Sequence, residues 1–457
     1  MPEVSTQGTM VSGGDVAGQQ AVTGAVEQHA GARRPSLLKK LAPLIPLALL
    51  LIYFVKGAQE VKSIGGLEAM VRRADFVSTL TGALLIREGH GPSLYNLETQ
   101  RDAQNEVLAG YNHVDLGNML PYNHLPFEAL FITPLVALPY PLVFGLWTLL
   151  MALAVWLSLR TMQRALPMPG AVLPIAVLVA ISYQPLFRSF MLGQNSPLVL
   201  LGLCGTYAAI RRGQDGLAGA ALLLVALKPQ ILPIVLLALL LQRHWRALAT
   251  FLGLLAALCI AVMLVLSPAW PLDYARLLLG VSNWSDTGAI DPAIMHNWRG
   301  FATNLFASWA PSAVTPVFLA LTLASAALLV YFALMIGGKT LGTRYSVLGT
   351  QHNDLFWALT GILAVLTSLH LNPHDLTLLI FPAWILGAYV VSAWFGKGQS
   401  RNFTYIIWAA YALIPLAFYT GLGASYPGLV VVPDVLLMSL AALLLARQLR
   451  TGEPHPA

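Results

Sequence analysis

An all-α protein that crosses a membrane about twelve times is the fold class this sequence predicts, on three observations. Of its 457 residues, 57% are hydrophobic and only 10% charged, whereas soluble domains average about 25% charged; the mean hydropathy is +0.69. The apolar residues gather into runs long enough to span a bilayer. Basic residues sit as pairs between those runs, at alternate connections. Length alone would fit several soluble domains, but lipid-facing helices carry charge only at a cost, and the deficit decides the class. The net charge of +6 is spread over those pairs, so no nucleic-acid partner is expected.

In chain order, residues 1–40 form a cytoplasmic tail whose first 35 positions are rich in Gly, Ala, Gln and Ser and read as disordered. Arg33, Arg34, Lys39 and Lys40 then precede the apolar run 41–55. Its long polar lead and the lack of a clear small-x-small cleavage site make it an uncleaved anchor rather than a signal peptide. Further candidate spans are 141–159, 170–186, 194–210, 247–267, 312–335, 353–371, 375–394, 403–420 and 428–446. Between 216 and 242 lies another apolar stretch, interrupted by Lys228-Pro229-Gln230. Placing Arg160/Arg164, Arg211/Arg212, Arg243/Arg246, Lys339/Arg344, Lys397/Arg401 and Arg447/Arg450 in the cytoplasm satisfies the positive-inside rule. It does so only if 216–242 crosses twice, as two short helices with Lys228 at the turn. The membrane domain then covers 41–446, and 447–457 is a cytoplasmic C-terminal tail.

Two long extracytoplasmic segments result, 56–140 and 268–311, and both collect acids. In the first, Phe76, Leu80, Ala83 and Leu84 recur at helical spacing after Asp75. This predicts an amphipathic helix along the membrane surface, ended by Gly89-His90-Gly91-Pro92-Ser93. The apolar stretch 125–138, broken by Pro134, predicts a second interfacial or re-entrant helix. Cys204 and Cys259 lie inside apolar runs and read as buried free thiols, too few for a disulfide scaffold or a zinc site.

Polar residues in so apolar a chain are the candidates for chemistry. Asp75, just beyond the first span, reads either as a plain surface-helix carboxylate or as a general base whose pKa partial desolvation would lift. Lys228 reads as a phosphate-binding cation lining a cavity between broken helices, or as a lysine snorkelling to the interface. His370 and His374 stand four apart with Pro373 between them, which spoils a shared helix face, so no metal is expected. His374, oriented by Asp375, suits a substrate or phosphate; the alternative is a polar cap on the next helix. Gln194 and Asn195 open the run 194–210, where a helix N-terminus favours an anion and a plain N-cap serves equally. Tyr122, His124, Asn283, His296 and Asn297 supply donors and acceptors for a hydroxyl-rich ligand on the outer side. No Gly-Lys-Ser/Thr phosphate loop, dinucleotide fingerprint or nucleophile elbow is present, and the cytoplasmic connections are too short for a nucleotide-binding domain. A nucleotide-sugar or ATP substrate taken from inside is therefore not expected.

Several of these segments resemble glycosyltransferase family 87 (DUF2029). The residues that carry the resemblance are Asp75 with its following helix, Gly89…Leu94-Tyr95-Asn96, Leu125-Pro126-Phe127…Pro134-Leu135, Gly193-Gln194-Asn195, Leu227-Lys228-Pro229, Arg243-His244-Trp245-Arg246 and Ser368…His374-Asp375. The resemblance implies a GT-C fold, with surface helices and an essential acid in a large first extracytoplasmic loop. It implies a polyprenyl-phosphate sugar, typically mannose or arabinofuranose, as donor, a lipid or cell-envelope glycan as acceptor, and no cofactor. Asp75 then matches the general base, His374 a position near the acceptor or the donor phosphate, and Lys228 the basic Lys-Pro position. The His374-Asp375 pair departs from the His-His pair often seen in the family's mannosyltransferases.

A lipid-phosphate donor carries its own leaving group, so inversion at the anomeric carbon needs one base on the acceptor hydroxyl. Lys228 and His374 would stabilise charge on the departing phosphate. The competing class is a multispanning transporter or flippase of a lipid-linked or small polar substrate. The long first loop and the lack of matching halves count against that class. A polymerase joining lipid-linked units is a third reading, and it would need two lipid-diphosphate substrates.

Overall fold

The computed structural model describes residues 44–63, 65–109, 113–170, 173–280, 292–340 and 347–395, with 435, 438–439, 441–444 and 446. Among the described residues every regular element is helical. Both predicted tails, the predicted spans 403–420 and most of 428–446, and Asn283 lie outside them.

Helix α1 (Leu44–Ser63) overruns the predicted anchor. The first loop then supplies α2 (Leu67–Arg73), α3 (Phe76–Arg87), α4 (Leu97–Val107) and α5 (Pro126–Ile132). Helix α3 corrects an expectation. It is not an amphipathic surface helix, because every residue from Phe76 to Leu85 is buried. Two of its hydroxyls help make this possible: Ser78 Oγ donates to the Asp75 carbonyl and Thr81 Oγ1 to the Val77 carbonyl, each at 2.8 Å, so neither needs water. The amphipathic helix of this loop is α4, which buries Gln100, Ala103 and Gln104 and exposes Glu98, Asp102 and Glu106. Helix α5 is short, and its chain tightens into a 3-10 turn at Thr133–Leu135, where Pro134 interrupts the run.

Helix α6 (Tyr140–Ala165) buries Val143, Phe144, Trp147, Met151, Ala154 and Ser158 along one stripe. Leu142, Leu146, Leu149, Leu153 and Trp156 stand exposed on the other face. Large apolar side chains in that position suit lipid rather than water. Three helical stretches are long and apolar enough to cross a membrane: Tyr140–Ala165, α12 (Trp245–Val265) and Pro311–Ile336, which contains most of α15 (Val314–Thr340). The further crossings needed for twelve fall on shorter helices or outside the described residues. The predicted span 170–186 is two pieces, α7 (Leu173–Ile181) and α8 (Gln184–Leu192), because Pro185 starts a new helix rather than continuing the old one. Next come α9 (Ser196–Arg211), α10 (Asp215–Val225) and α11 (Leu232–Leu241), with Lys228 in the break between the last two, as expected.

The second loop carries α13 (Trp270–Leu279) and α14 (Trp298–Phe306). After α15, helices α16 (Val347–Leu366) and α17 (Ile380–Phe395) meet at a corner that ends in a 3-10 segment, Pro373–Leu379. Helices α10 and α12 pack closely because Gly219 has no side chain; a methyl there would overlap the Ala247 carbonyl oxygen. Two buried cores result. The larger joins α9, α10, α11, α16 and α17; the other joins α3, α5 and the first half of α6. The turn between α8 and α9 lies where the two cores meet.

Candidate active site

That turn begins at Gly193, which ends α8 in the left-handed region (φ 64°). Only glycine fits, since a Cβ would come within 2.7 Å of Phe76 Cβ. The Gly193 carbonyl accepts from Trp147 Nε1 at 2.8 Å, which fixes the turn against α6. Gln194 therefore emerges directly beside Asp75, the residue before Phe76.

Gln194 Nε2 donates to Asp75 Oδ2 at 2.6 Å, while its Oε1 lies 3.4 Å from Lys228 Nζ. The neighbours dictate this amide orientation: the NH₂ end meets a carboxylate and the oxygen meets an ammonium. Lys228 Nζ in turn lies 2.7 Å from Asp375 Oδ1, with the two side chains 8% and 2% exposed. The lysine does not snorkel. Ser196 Oγ donates to the same Asp375 oxygen at 2.8 Å, and the Asn372 amide donates to the other at 3.1 Å. His374 is buried with its Nε2 3.6 Å from Asp375, and its carbonyl accepts from Ser189 Oγ on α8 at 3.0 Å. Asp75, Gln194, Lys228, Asp375 and His374 thus form one connected cluster, drawn from four places in the chain.

A second cluster adjoins it. Asn195 occupies the N-cap position of α9, yet its side chain does not cap the helix. Its Nδ2 donates instead to Glu128 Oε2 at 2.9 Å, and His124 Nδ1 donates to the same oxygen at 2.8 Å. Glu128 was visible in the sequence only as one acid among many in a loop. Here it is a buried carboxylate one residue-step from Gln194.

Other predicted positions are used by the backbone. Tyr122 is fully buried, with its hydroxyl donating to the Leu125 carbonyl (2.7 Å) and accepting from the Ala129 amide (3.2 Å), so it packs the loop instead of facing a ligand. Asn297 caps α14 through Gly300 N (2.9 Å) and donates to the Ser368 carbonyl (2.7 Å), tying the second loop to the corner. His370 lies on that corner, 3.4 Å from Asn372 Nδ2. His296 is buried beside it in chain order to Asn297.

The electrostatics follow from burial. Asp75 is half-buried, retaining some accessible surface. Desolvation holds its pKa above the ordinary value, against the pull of the Gln194 hydrogen bond, Lys228, His124 and Arg188. For Glu128, burial raises the pKa most, but His124, Asn195 and Lys228 together overcome it and keep the group ionised. Burial also pushes His296 and His374 down to about 3, so both imidazoles are neutral near pH 7. Arg188, on α8, did not stand out in the sequence, being one arginine at the end of an apolar run. It is exposed, and its charge is felt at Asp75, His296 and His374.

Two carboxylate clusters, a buried ammonium and neutral imidazoles around one turn can take a proton from a hydroxyl and face an anion. The family model for glycosyltransferase family 87 matches residues 122–368, just over half of the chain. The chain belongs to glycosyltransferase family 87. Family membership makes it a membrane-associated glycosyltransferase and decides against the carrier reading. Neither a curated protein nor a solved structure matches the chain. The segment matched to family 87 contains Glu128, Gln194, Ser196 and Lys228, whereas Asp75, His374 and Asp375 lie outside it and join it through hydrogen bonds and the ion pair.

Proposed function

We propose that this family 87 member moves a sugar, a hexose such as mannose or an arabinofuranose, from a polyprenyl-phosphate donor to a hydroxyl of a lipid or cell-envelope glycan. The transfer inverts the anomeric carbon and takes place on the extracytoplasmic face of the plasma membrane. The observation that carries this reading is the unbroken line from Asp75 through Gln194 to Lys228 and Asp375. It sets a desolvated carboxylate a single amide away from a buried ion pair that holds that amide in place. An inverting transfer needs a base on one side of the anomeric carbon and charge stabilisation on the other.

Asp75 is the general base. Its raised pKa makes it a better proton acceptor than an exposed aspartate, while the Gln194 bond keeps enough of it ionised to act. The acceptor oxygen attacks the anomeric carbon as its proton passes to Asp75, and the phosphate leaves with the bonding electrons. His374, neutral and buried against Asp375, can donate one hydrogen bond to a substrate oxygen without adding charge. The His124–Glu128–Asn195 cluster fixes the His124 ring, whose other nitrogen is left for a sugar or acceptor hydroxyl.

Asp75→Asn tests the reading. The purified variant should bind a polyprenyl-phosphate sugar as the parent does and transfer it at least a thousandfold more slowly, the scale of a lost catalytic base. Turnover near the parent's rate would remove Asp75 from catalysis.

A further inference from the structure

Building on the polyprenyl-phosphate reading, a cation must meet the donor phosphate, and the charges around the site show which one is available. Lys228 is already matched: Asp375 lies 2.7 Å from its ammonium, and the pair is buried. Each carboxylate is also engaged, Asp75 by Gln194, Glu128 by His124 and Asn195, and Asp375 by Lys228 and Ser196. Arg188 differs from all of these. It is exposed and makes no hydrogen bond or ion pair among the described residues. Its neighbour Ser189 anchors α8 to the corner, giving its proton to the His374 carbonyl and accepting one from Thr377 Oγ1 at 3.0 Å. Arg188 is therefore an exposed cation carried on a helix that is pinned to the corner.

We propose that Arg188 is the residue that receives the donor's phosphate, and that Lys228 is a positioning residue that holds Gln194 and Asp375 in place. The chemistry supports this division. A bond forms between the acceptor oxygen and the anomeric carbon, and the bond from that carbon to the phosphate oxygen breaks. The proton goes to Asp75 and the electron pair to the phosphate, so one negative charge moves from the carboxylate to the leaving group. A cation carried on α8, next to the Ser189 that bonds the corner at His374, can follow that charge. A guanidinium with no donor bonded among the described residues offers a phosphate the planar fork that suits it best. An ammonium already bonded to a carboxylate has less to give.

The test measures binding and transfer separately on full-length protein in detergent, for the parent, Arg188→Ala, Arg188→Lys and Lys228→Met. Binding uses radiolabelled polyprenyl phosphate, with polyprenol as the uncharged control and phosphatidylglycerol as competitor. Transfer uses polyprenyl-phosphate mannose and polyprenyl-phosphate arabinofuranose as donors. Arg188→Ala should weaken polyprenyl phosphate binding and raise the donor KM by about tenfold to a hundredfold, the scale of a charged hydrogen-bonded contact. The acceptor KM should not move, polyprenol binding should be unaffected, and Arg188→Lys should lose less. Lys228→Met should lower kcat while phosphate binding stays within about twofold of the parent. Equal binding by parent and Arg188→Ala, or a loss confined to Lys228→Met, overturns the assignment; so does displacement by phosphatidylglycerol at equal concentration, which marks a general anionic-lipid contact. If the parent binds polyprenyl phosphate through Arg188 but transfers from neither donor, the phosphate site stands and the proposed reaction fails.

Discussion

Replacing Asp375 with Asn probes the ion pair on which the cluster is built. The substitution keeps the shape of the side chain and the Ser196 and Asn372 contacts in reach, but removes the charge that faces Lys228 at 2.7 Å. Lys228 has no second carboxylate at ion-pair distance among the described residues; its other contact is the Gln194 oxygen at 3.4 Å, too long to compensate. An ammonium 8% exposed would be left without a counter-charge. Breaking a buried pair by removing one partner costs about 3–5 kcal/mol. Lys228→Met should cost less, because Asp375 keeps two hydrogen-bond donors. The double variant removes both charges and should recover about 2–3 kcal/mol relative to the sum of the singles. Unfolding of the purified proteins, followed as a double-mutant cycle in one detergent, measures this coupling. Additive losses would refute the claim that the two residues neutralise one another, and with it the argument that Lys228 is unavailable to a phosphate.

Three further outcomes follow from the same geometry. Gln194→Leu removes a hydrogen bond to the ionised form of Asp75, so the acid limb of the transfer rate should move to higher pH; the lost contact, about 1.5 kcal/mol for a partly accessible group, corresponds to about tenfold in the ionisation equilibrium. Gly193→Ala forces a Cβ into Phe76 at a left-handed position and should lower stability by about 1–3 kcal/mol while displacing Gln194, seen as lost activity in the folded fraction. Asp354→Ala, far along α16, strands Arg211 (3.1 Å) and the Tyr207 hydroxyl (2.7 Å); it should lower thermal stability by about 3 kcal/mol with unchanged donor KM in the protein that remains folded.

How much of this was legible in the sequence depended on how conspicuous each charge was. Asp75, Lys228 and Asp375 stand out because ionisable groups are rare in so apolar a chain, and the break at Lys228-Pro229 signals itself through proline chemistry. Arg188 was hidden for the opposite reason: it closes an apolar run next to an ordinary turn, and its significance rests on having no partner among the described residues, which spacing does not reveal. Glu128 was likewise one acid among several until Asn195 and His124 were seen to converge on it. Tyr122 and Asn297 looked like ligand contacts because a polar side chain beside a motif has the same appearance whether it serves a substrate or a backbone amide. Helix α3 was misjudged because Phe76, Leu80, Ala83 and Leu84 form a stripe, while Val77 and Leu85 and the self-bonded Ser78 and Thr81 complete an all-round apolar surface. The number of crossings was the least accessible feature, since it rests on charge alternation between short helices rather than on the length of any one.

A structure of the protein with a polyprenyl-phosphonate sugar bound, the phosphonate resisting transfer, tests the central claim most directly. The account predicts the anomeric carbon between the Asp75 carboxylate and the corner that carries His374, with the phosphonate turned towards Arg188 and the Lys228–Asp375 pair intact. A sugar seated elsewhere, with Asp75 still closed against Gln194 and no ligand atom near it, would contradict it.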